Sequence, residues 1–262
     1  MKQRIITAVI FGAILISLTL MGGIPFVILA YLFASIAMYE LLKMRKLNLF
    51  SFSGIITLFT LWIFLLPTKY LDLLERIQIT KIEIILIAVL LLFAYTVLTK
   101  NRFTYDDVAF SIMSILYVGM GFYYFIETRE AGLSYIFYSL FIIWATDSGA
   151  YFTGRAMGKR KLWPDISPNK TVEGFIGGIV SAVIVSIPFG LFSQMDTSVI
   201  LLAFVTIFLS VFGQIGDLVE SALKRHYQVK DSGTILPGHG GILDRFDSLL
   251  FVWPLLHFLH LL

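Results

Sequence analysis

The chain has 262 residues, of which 58% are hydrophobic and 14% charged, with a mean hydropathy of +0.88. A soluble domain usually carries about 25% charged residues, so this composition excludes one and reads as a polytopic membrane protein. A formal net charge of +3 is too small to argue for nucleic acid as a partner, and the absence of cysteine excludes disulfides, thiolate catalysis and thiolate metal sites.

A helix crossing a bilayer needs about 20 predominantly apolar residues, with a range of about 17 to 25. Apolar runs fall at residues 5–21, 24–42, 53–66, 82–98, 108–126, 133–152, 175–192, 199–215 and 248–261, the third and last being short. They predict an all-α bundle of about nine transmembrane helices, in a single membrane domain, 1–262, whose active-site half is roughly 133–262. The first run follows a basic start, Met1-Lys2-Gln3-Arg4, yet it is long for a signal-peptide core and lacks a small-x-small exit, so it reads as a retained helix. Tyr39 and Glu40, near the end of the second run, read as an interface anchor and a snorkelling acid rather than as ligands. Residues 66–81, with Tyr70, Leu71, Leu73 and Leu74 among charges, read as an amphipathic segment on the outer interface. No internal repeat or low-complexity tract divides the chain.

Cytoplasmic loops are enriched in Lys and Arg. With the amino terminus inside, all of the 20 basic residues except Lys69, Arg76, Lys81 and Arg129 fall on the cytoplasmic side. This orientation puts the loop after the sixth run and the segment 217–247 where nucleotides are.

Within the sixth run stands Asp147, an acid in an apolar helix about two turns before its cytoplasmic exit. Such an acid is by default a functional hypothesis, the alternative being an acid hydrogen-bonded to a neighbouring helix. Lys159, Arg160 and Lys161 read as topology signals and anionic-lipid attraction. Lys170, just before the seventh run and beside Thr171 as a possible cap, is placed to hold a phosphate at a helix amino terminus. There is no Walker sequence, and Gly174 and Gly178 form a small-xxx-small pair that reads as helix packing.

The segment 217–247 breaks the apolar habit. If the eighth helix continues past Gly216, then Asp217, Glu220, Ser221 and Lys224 fall at i, i+3, i+4 and i+7 and share one face. After the turn Pro237-Gly238-His239-Gly240-Gly241, Asp244 and Asp247 repeat the i, i+3 spacing at the foot of the last run. Carboxylates from two helices, without any cysteine and with few histidines, point to hard oxygen coordination and hence to Mg²⁺ shared with substrate phosphates. Lys224, Arg225, Lys230 and Arg245 supply the cationic half of a phosphate site. A solvated loop laced with helix-end ion pairs is the other reading of the same charges.

This block resembles the signature of the phosphatidate cytidylyltransferases, carried here by Ser221, Lys224, Arg225, Lys230, Asp231, Pro237, Gly238, His239, Gly240, Gly241, Asp244, Arg245, Phe246 and Asp247. The runs Asp147-Ser148-Gly149-Ala150-Tyr151 and Ser167 to Gly174 resemble the same family, while the first four helices match it only in hydropathy. The resemblance implies an enzyme of phospholipid biosynthesis that uses CTP and phosphatidic acid in the lipid bilayer to make CDP-diacylglycerol. It also implies a homodimer, in the bacterial inner membrane, with its active site facing the cytoplasm. In that setting Asp217 and Asp244 are the first Mg²⁺ ligands, with Asp147 and Asp247 as further catalytic candidates. Lys170, Lys224, Arg225, Lys230 and Arg245 bind phosphate, and Ser221, Asp231, Gly240 and Gly241 belong to the substrate site. His239 reads as a loop-shaping or hydrogen-bonding residue. Two rivals are a CTP-dependent polyprenol kinase and a transporter, although a transporter would carry polar groups near mid-membrane and related halves.

Overall fold

A computed structural model describes residues 2–71, 78–193, 195, 197–259 and 261. Among the described residues the helices are α1 (Lys2–Met21), α2 (Gly23–Met44), α3 (Phe52–Phe64), α4 (Lys81–Leu98), α5 (Tyr105–Ala131), α6 (Leu133–Met157), α7 (Val172–Phe192), α8 (Val199–His226), α9 (Leu243–Phe246) and α10 (Leu249–Phe258). Each of the apolar runs read from the sequence is therefore a helix. The all-α expectation holds, apart from one antiparallel pair of short strands, β1 (Lys161–Trp163) and β2 (Ser167–Thr171). Six helices, α1, α2, α4, α5, α7 and α8, are long and apolar enough to cross a membrane, whereas α3 and α10 have only 13 and 10 residues. Part of the amphipathic segment expected at 66–81, including Leu73 and Leu74, lies outside the described residues.

Local sequence explains the helix starts. The Ser51, Thr171 and Ser198 hydroxyls accept hydrogen bonds from the amides of Gly54, Gly174 and Leu201, each satisfying one of the amides a helix start leaves unpaired. At α4 the cap is reciprocal, because Thr80 accepts from the Glu83 amide while the Glu83 carboxylate accepts from the Thr80 amide.

The chain divides into two compact units, Met1–Glu127 with Asp231–Asp244, and Thr128–Lys230 with Arg245–Leu262. In the first unit, α1 leaves Ile5, Ile6, Val9 and Ile10 more than half exposed, as suits a lipid-facing helix, while α2 buries Phe26, Ala30, Ala34, Ala37 and Met38. Polar contacts there include Arg45 with Asp107 at 2.8 Å, and the Lys81 ammonium donating to the carbonyls of Phe64 and Leu66 at the end of α3. In the second unit, buried hydroxyls join the helices. Tyr138 meets Thr206 at 2.7 Å and Thr146 meets Ser210 at 2.9 Å, linking α6 to α8, while the Trp253 indole donates to Ser139 at 3.0 Å, linking α10 to α6. Such bonds contribute about 0.6 kcal/mol each in a membrane.

The close crossing of α6 and α7 is made by glycine. A Cβ on Gly178 would lie 2.8 Å from the Thr146 carbonyl, and one on Gly174 would lie 2.7 Å from the Ala150 carbonyl, so the small-xxx-small pair lets the two backbones touch. Replacing Gly178 by Leu should lower stability by about 1–3 kcal/mol through overpacking. A shift of several degrees in the thermal midpoint of the detergent-purified protein would show it.

Candidate active site

In the second unit α8 runs unbroken through Gly216 to His226, as the spacing of its polar residues requires. Its polar face resolves into two pairs one turn apart. Ser221 Oγ donates to Asp217 Oδ1 at 3.3 Å, and Lys224 Nζ donates to Glu220 Oε2 at 2.7 Å. Glu220 is fully buried, so Lys224 is held as the partner of a buried acid.

Asp217 has a stronger partner from another element. Lys170, the fourth residue of β2, brings its ammonium to Asp217 Oδ2 at 2.5 Å, with both side chains about a quarter to a third exposed. Thr171, next in the chain, caps α7. The hairpin is thus anchored at one end by the start of α7 and at the other by Arg225, whose Nε donates to the Ile166 carbonyl at 3.3 Å. Glu173, in the first turn of α7, accepts from the amides of Lys159 and Arg160 and from the Arg160 side chain, and Lys161 donates to the Pro168 carbonyl. The run Lys159–Lys161, expected to act through its charge alone, also ties this hairpin.

Lys170 and Asp217 line a cavity of about 480 Å³ together with Asp147, Tyr151, Thr171 and Gln214, within the usual range of about 300–1,000 Å³ for small-molecule sites. Asp147 opens to this cavity from α6, which continues to Met157 rather than stopping near residue 152. Gln214 is fixed by donating to the Phe175 carbonyl at 3.2 Å. Asp247 belongs beside this group, because its backbone carbonyl packs on Gly216, where an added Cβ would lie 2.7 Å away. Crowding by protein, and then the negative charge of Asp217, push the Asp247 carboxyl above the ordinary carboxylate range, while Lys224 works against them. Arg245 and Lys230 are exposed in the same unit.

The remaining expected residues belong to the first unit. The turn around His239 is closed by the Leu236 amide donating to the Gly240 carbonyl at 3.0 Å and the His239 amide donating to the Leu236 carbonyl at 2.8 Å, with Gly238 and Gly240 at φ of 78° and 82°. His239 thus shapes the loop through its backbone. Asp244 Oδ2 accepts from the Ser232 amide, the Ser232 hydroxyl and the Gly241 amide at 2.8–2.9 Å, so this oxygen, expected at a metal, is committed to the loop. Asp231 is exposed at the start of the loop.

One reading from the sequence is corrected here. Glu40 does not snorkel. It is 2% exposed, and its carboxylate accepts from the Ile242 amide at 3.0 Å, the Leu243 amide at 2.9 Å and the Ser232 hydroxyl at 3.0 Å. The available signal was an acid inside an apolar helix, which by itself argues for a specific partner. Gln214 was also missed, as an ordinary polar helix residue that only the cavity singles out, while Tyr151 and Asn169 entered only within the runs that resemble the family.

With this geometry in view, the family can be decided. The model of the cytidylyltransferase family matches residues 2–262. The chain belongs to that family. It is 59% identical over 262 residues to a phosphatidate cytidylyltransferase of Bacillus subtilis (strain 168), covering 99% of this chain and 97% of the relative. Proteins of the same name from Staphylococcus haemolyticus (strain JCSC1435) and Staphylococcus aureus (strain COL) are 53% and 50% identical, each over 99% of this chain and 98% of the relative.

The phosphate-binding role expected of Lys170 from the sequence has a direct test at this cavity. Exchanging Lys170 for Gln should leave the thermal midpoint close to that of the parent protein and lower turnover by about 10²–10³-fold, the usual cost of losing one such donor. Steady-state rates within a few fold of the parent would remove Lys170 from the site.

Proposed function

We propose that this chain transfers the cytidylyl group of CTP to phosphatidic acid, giving CDP-diacylglycerol and pyrophosphate. The observation that carries this reading is the whole-length likeness to proteins named for that reaction. A cavity in which a lysine and a carboxylate stand together is its structural counterpart. A lipid phosphate monoester has a second pKa of about 6 and is largely dianionic at neutral pH, so it needs no strong general base. Its oxygen attacks the α-phosphorus of CTP, a new P–O bond forms, and the bond to the β-phosphate breaks to release pyrophosphate. The obstacle is bringing two polyanions together, and the residues answer it by position and charge. Lys170 faces the incoming phosphates from the cavity wall, while Ser221 holds Asp217 in place.

Mg²⁺ fits the donor chemistry. Among the described residues no three Asp, Glu, His or Cys side chains form a ready metal cage, which suits an ion that takes one or two carboxylates and completes its shell with water and phosphate. Asp217 is the first proposed ligand, with Asp147 on the same cavity and Asp247 alongside; the part of Asp244 is proposed on the sequence pattern alone. Bound there, the metal would neutralise the triphosphate and polarise the α-phosphoryl group. Lys224, Arg225, Lys230 and Arg245 are proposed as phosphate partners, with Lys224 and Arg225 anchored to Glu220 and Ile166. We further place the protein in the bacterial inner membrane as a homodimer, with its active site toward the cytoplasm. The basic-residue asymmetry supports the orientation, and the family resemblance supports the dimer.

The chemistry is tested by label position. CTP labelled at the α-phosphorus should give labelled lipid, and CTP labelled at the γ-phosphorus should give labelled pyrophosphate only, with both transfers lost on chelation by EDTA and restored by Mg²⁺. Label passing from the γ-phosphorus into lipid would instead establish a CTP-dependent kinase.

Orientation has its own test, since the chain contains no cysteine. A cysteine placed at Ser167 should be protected from an impermeant thiol reagent in intact cells, and one at Ser193 should react. The opposite pattern would invert the protein in the membrane.

A further inference from the structure

α2 carries a single carboxylate, Glu40. The Glu40 carboxylate accepts hydrogen bonds from groups about 200 residues away in sequence, lying between Ser232 and Leu243. Its two oxygens divide the work. Oε1 accepts from the Ile242 amide, and Oε2 accepts from the Leu243 amide and the Ser232 hydroxyl. The loop is shaped to admit it, since a Cβ on Gly233 or on Gly241 would collide with the Glu40 carboxylate. Ser232 then passes the restraint on, because its one hydroxyl proton is shared between Glu40 Oε2 at 3.0 Å and Asp244 Oδ2 at 2.9 Å, and its amide donates to Asp244 Oδ2. The Gly241 amide, next to the residues that Glu40 holds, donates to that oxygen as well.

A buried carboxylate that accepts two amide hydrogen bonds and a shared hydroxyl proton from one segment is a specifically partnered acid in a helix that crosses a membrane, where an acid with no specific partner is disfavoured. It fixes both ends of the turn, Ser232 on one side and Ile242 and Leu243 on the other, leaving His239 and Gly240 between them. We propose that Glu40 is a positioning residue: it sets the conformation of the 231–244 loop and, through Ser232, the orientation of the Asp244 carboxylate. Glu40 acts through the loop and touches no substrate. This inference rests on the cytidylyltransferase reading insofar as Asp231, His239 and Asp244 serve that reaction; the loop geometry itself does not depend on it.

The experiment compares the parent protein with Glu40→Gln, Ser232→Ala and the double variant, all purified in detergent. Gln keeps the volume of Glu but offers one N–H donor where a carboxylate oxygen accepted, so one loop amide loses its acceptor. Hydrogen exchange of the 231–244 amides should quicken at least tenfold in Glu40→Gln, while amides of α7 and α8 keep the parent rates. In the transfer assay kcat/KM for CTP should fall at least tenfold, and the Mg²⁺ concentration giving half the maximal rate should rise several-fold. Ser232→Ala should move the same readouts in the same direction by less, and the two changes should be less than additive because they break one network. A role in folding alone would lower kcat in proportion to the fraction folded and leave KM, the Mg²⁺ midpoint and local exchange unchanged. That result overturns the proposal, as do parent-like exchange and kinetics in Glu40→Gln. Should the parent protein not transfer the α-label to lipid, the functional reading fails by itself, and the exchange arm still decides whether Glu40 orders the loop.

Discussion

In hydrocarbon every charge and every backbone group must find its partner within the protein, because no water is present to supply one. The same need for a partner holds for charges covered by protein at helix ends, where the polar pairs described above lie. The Lys81 ammonium serves the carbonyls at the end of α3, Arg45 meets Asp107, Lys224 meets Glu220, and Lys170 meets Asp217. These pairs differ in what surrounds them. Glu220 is fully enclosed and its lysine nearly so, whereas Lys170 and Asp217 stand at the wall of a cavity with roughly a quarter of each side chain accessible. The first arrangement fixes a helix, and the second leaves charge available to a ligand.

The distinction between enclosed and accessible charge separates residues that sequence spacing had grouped together. Asp217, Glu220, Ser221 and Lys224 do lie on one helix, and the 3.6-residue period correctly puts them on one side of it. Side-chain reach then divides them, Ser221 turning to Asp217 and Lys224 to Glu220. The first pair is joined by a cation from outside the helix, Lys170, and Asp217 lines the cavity with it. Arg225 likewise holds a turn carbonyl of the strand pair, and the cations of the signature are thereby graded by how far structure already employs them.

Helices, their order and the tight turn around His239 were legible in the sequence, because apolar runs, capping hydroxyls and glycine clusters are local signals. The placement of Thr171 as a cap, the continuation of α8 past Gly216 and the packing use of Gly174 and Gly178 all followed from such signals. The bond from Lys170 to Asp217 was not readable, since it joins residues 47 apart and depends on a strand pair that an all-helical pattern gives no reason to expect. Glu40 was misread for a related reason. An acid near a helix end has an ordinary explanation in snorkelling, and only the folded loop shows that the side chain turns inward instead.

The glycines of the signature block take on a different meaning once the acids are placed. Gly238 and Gly240 have positive φ, so the turn itself demands them. Gly233 and Gly241 do not, and what excludes a side chain there is the carboxylate of Glu40, with the Ser232 hydroxyl also in the way at Gly241. A motif that reads as a flexible, glycine-rich loop is therefore a tightly occupied one, in which the missing side chains make room for Glu40 and Asp244 to accept backbone and hydroxyl hydrogen bonds. A carboxylate that collects several such bonds is held in orientation. A loop braced by two carboxylates keeps its shape without bulk of its own.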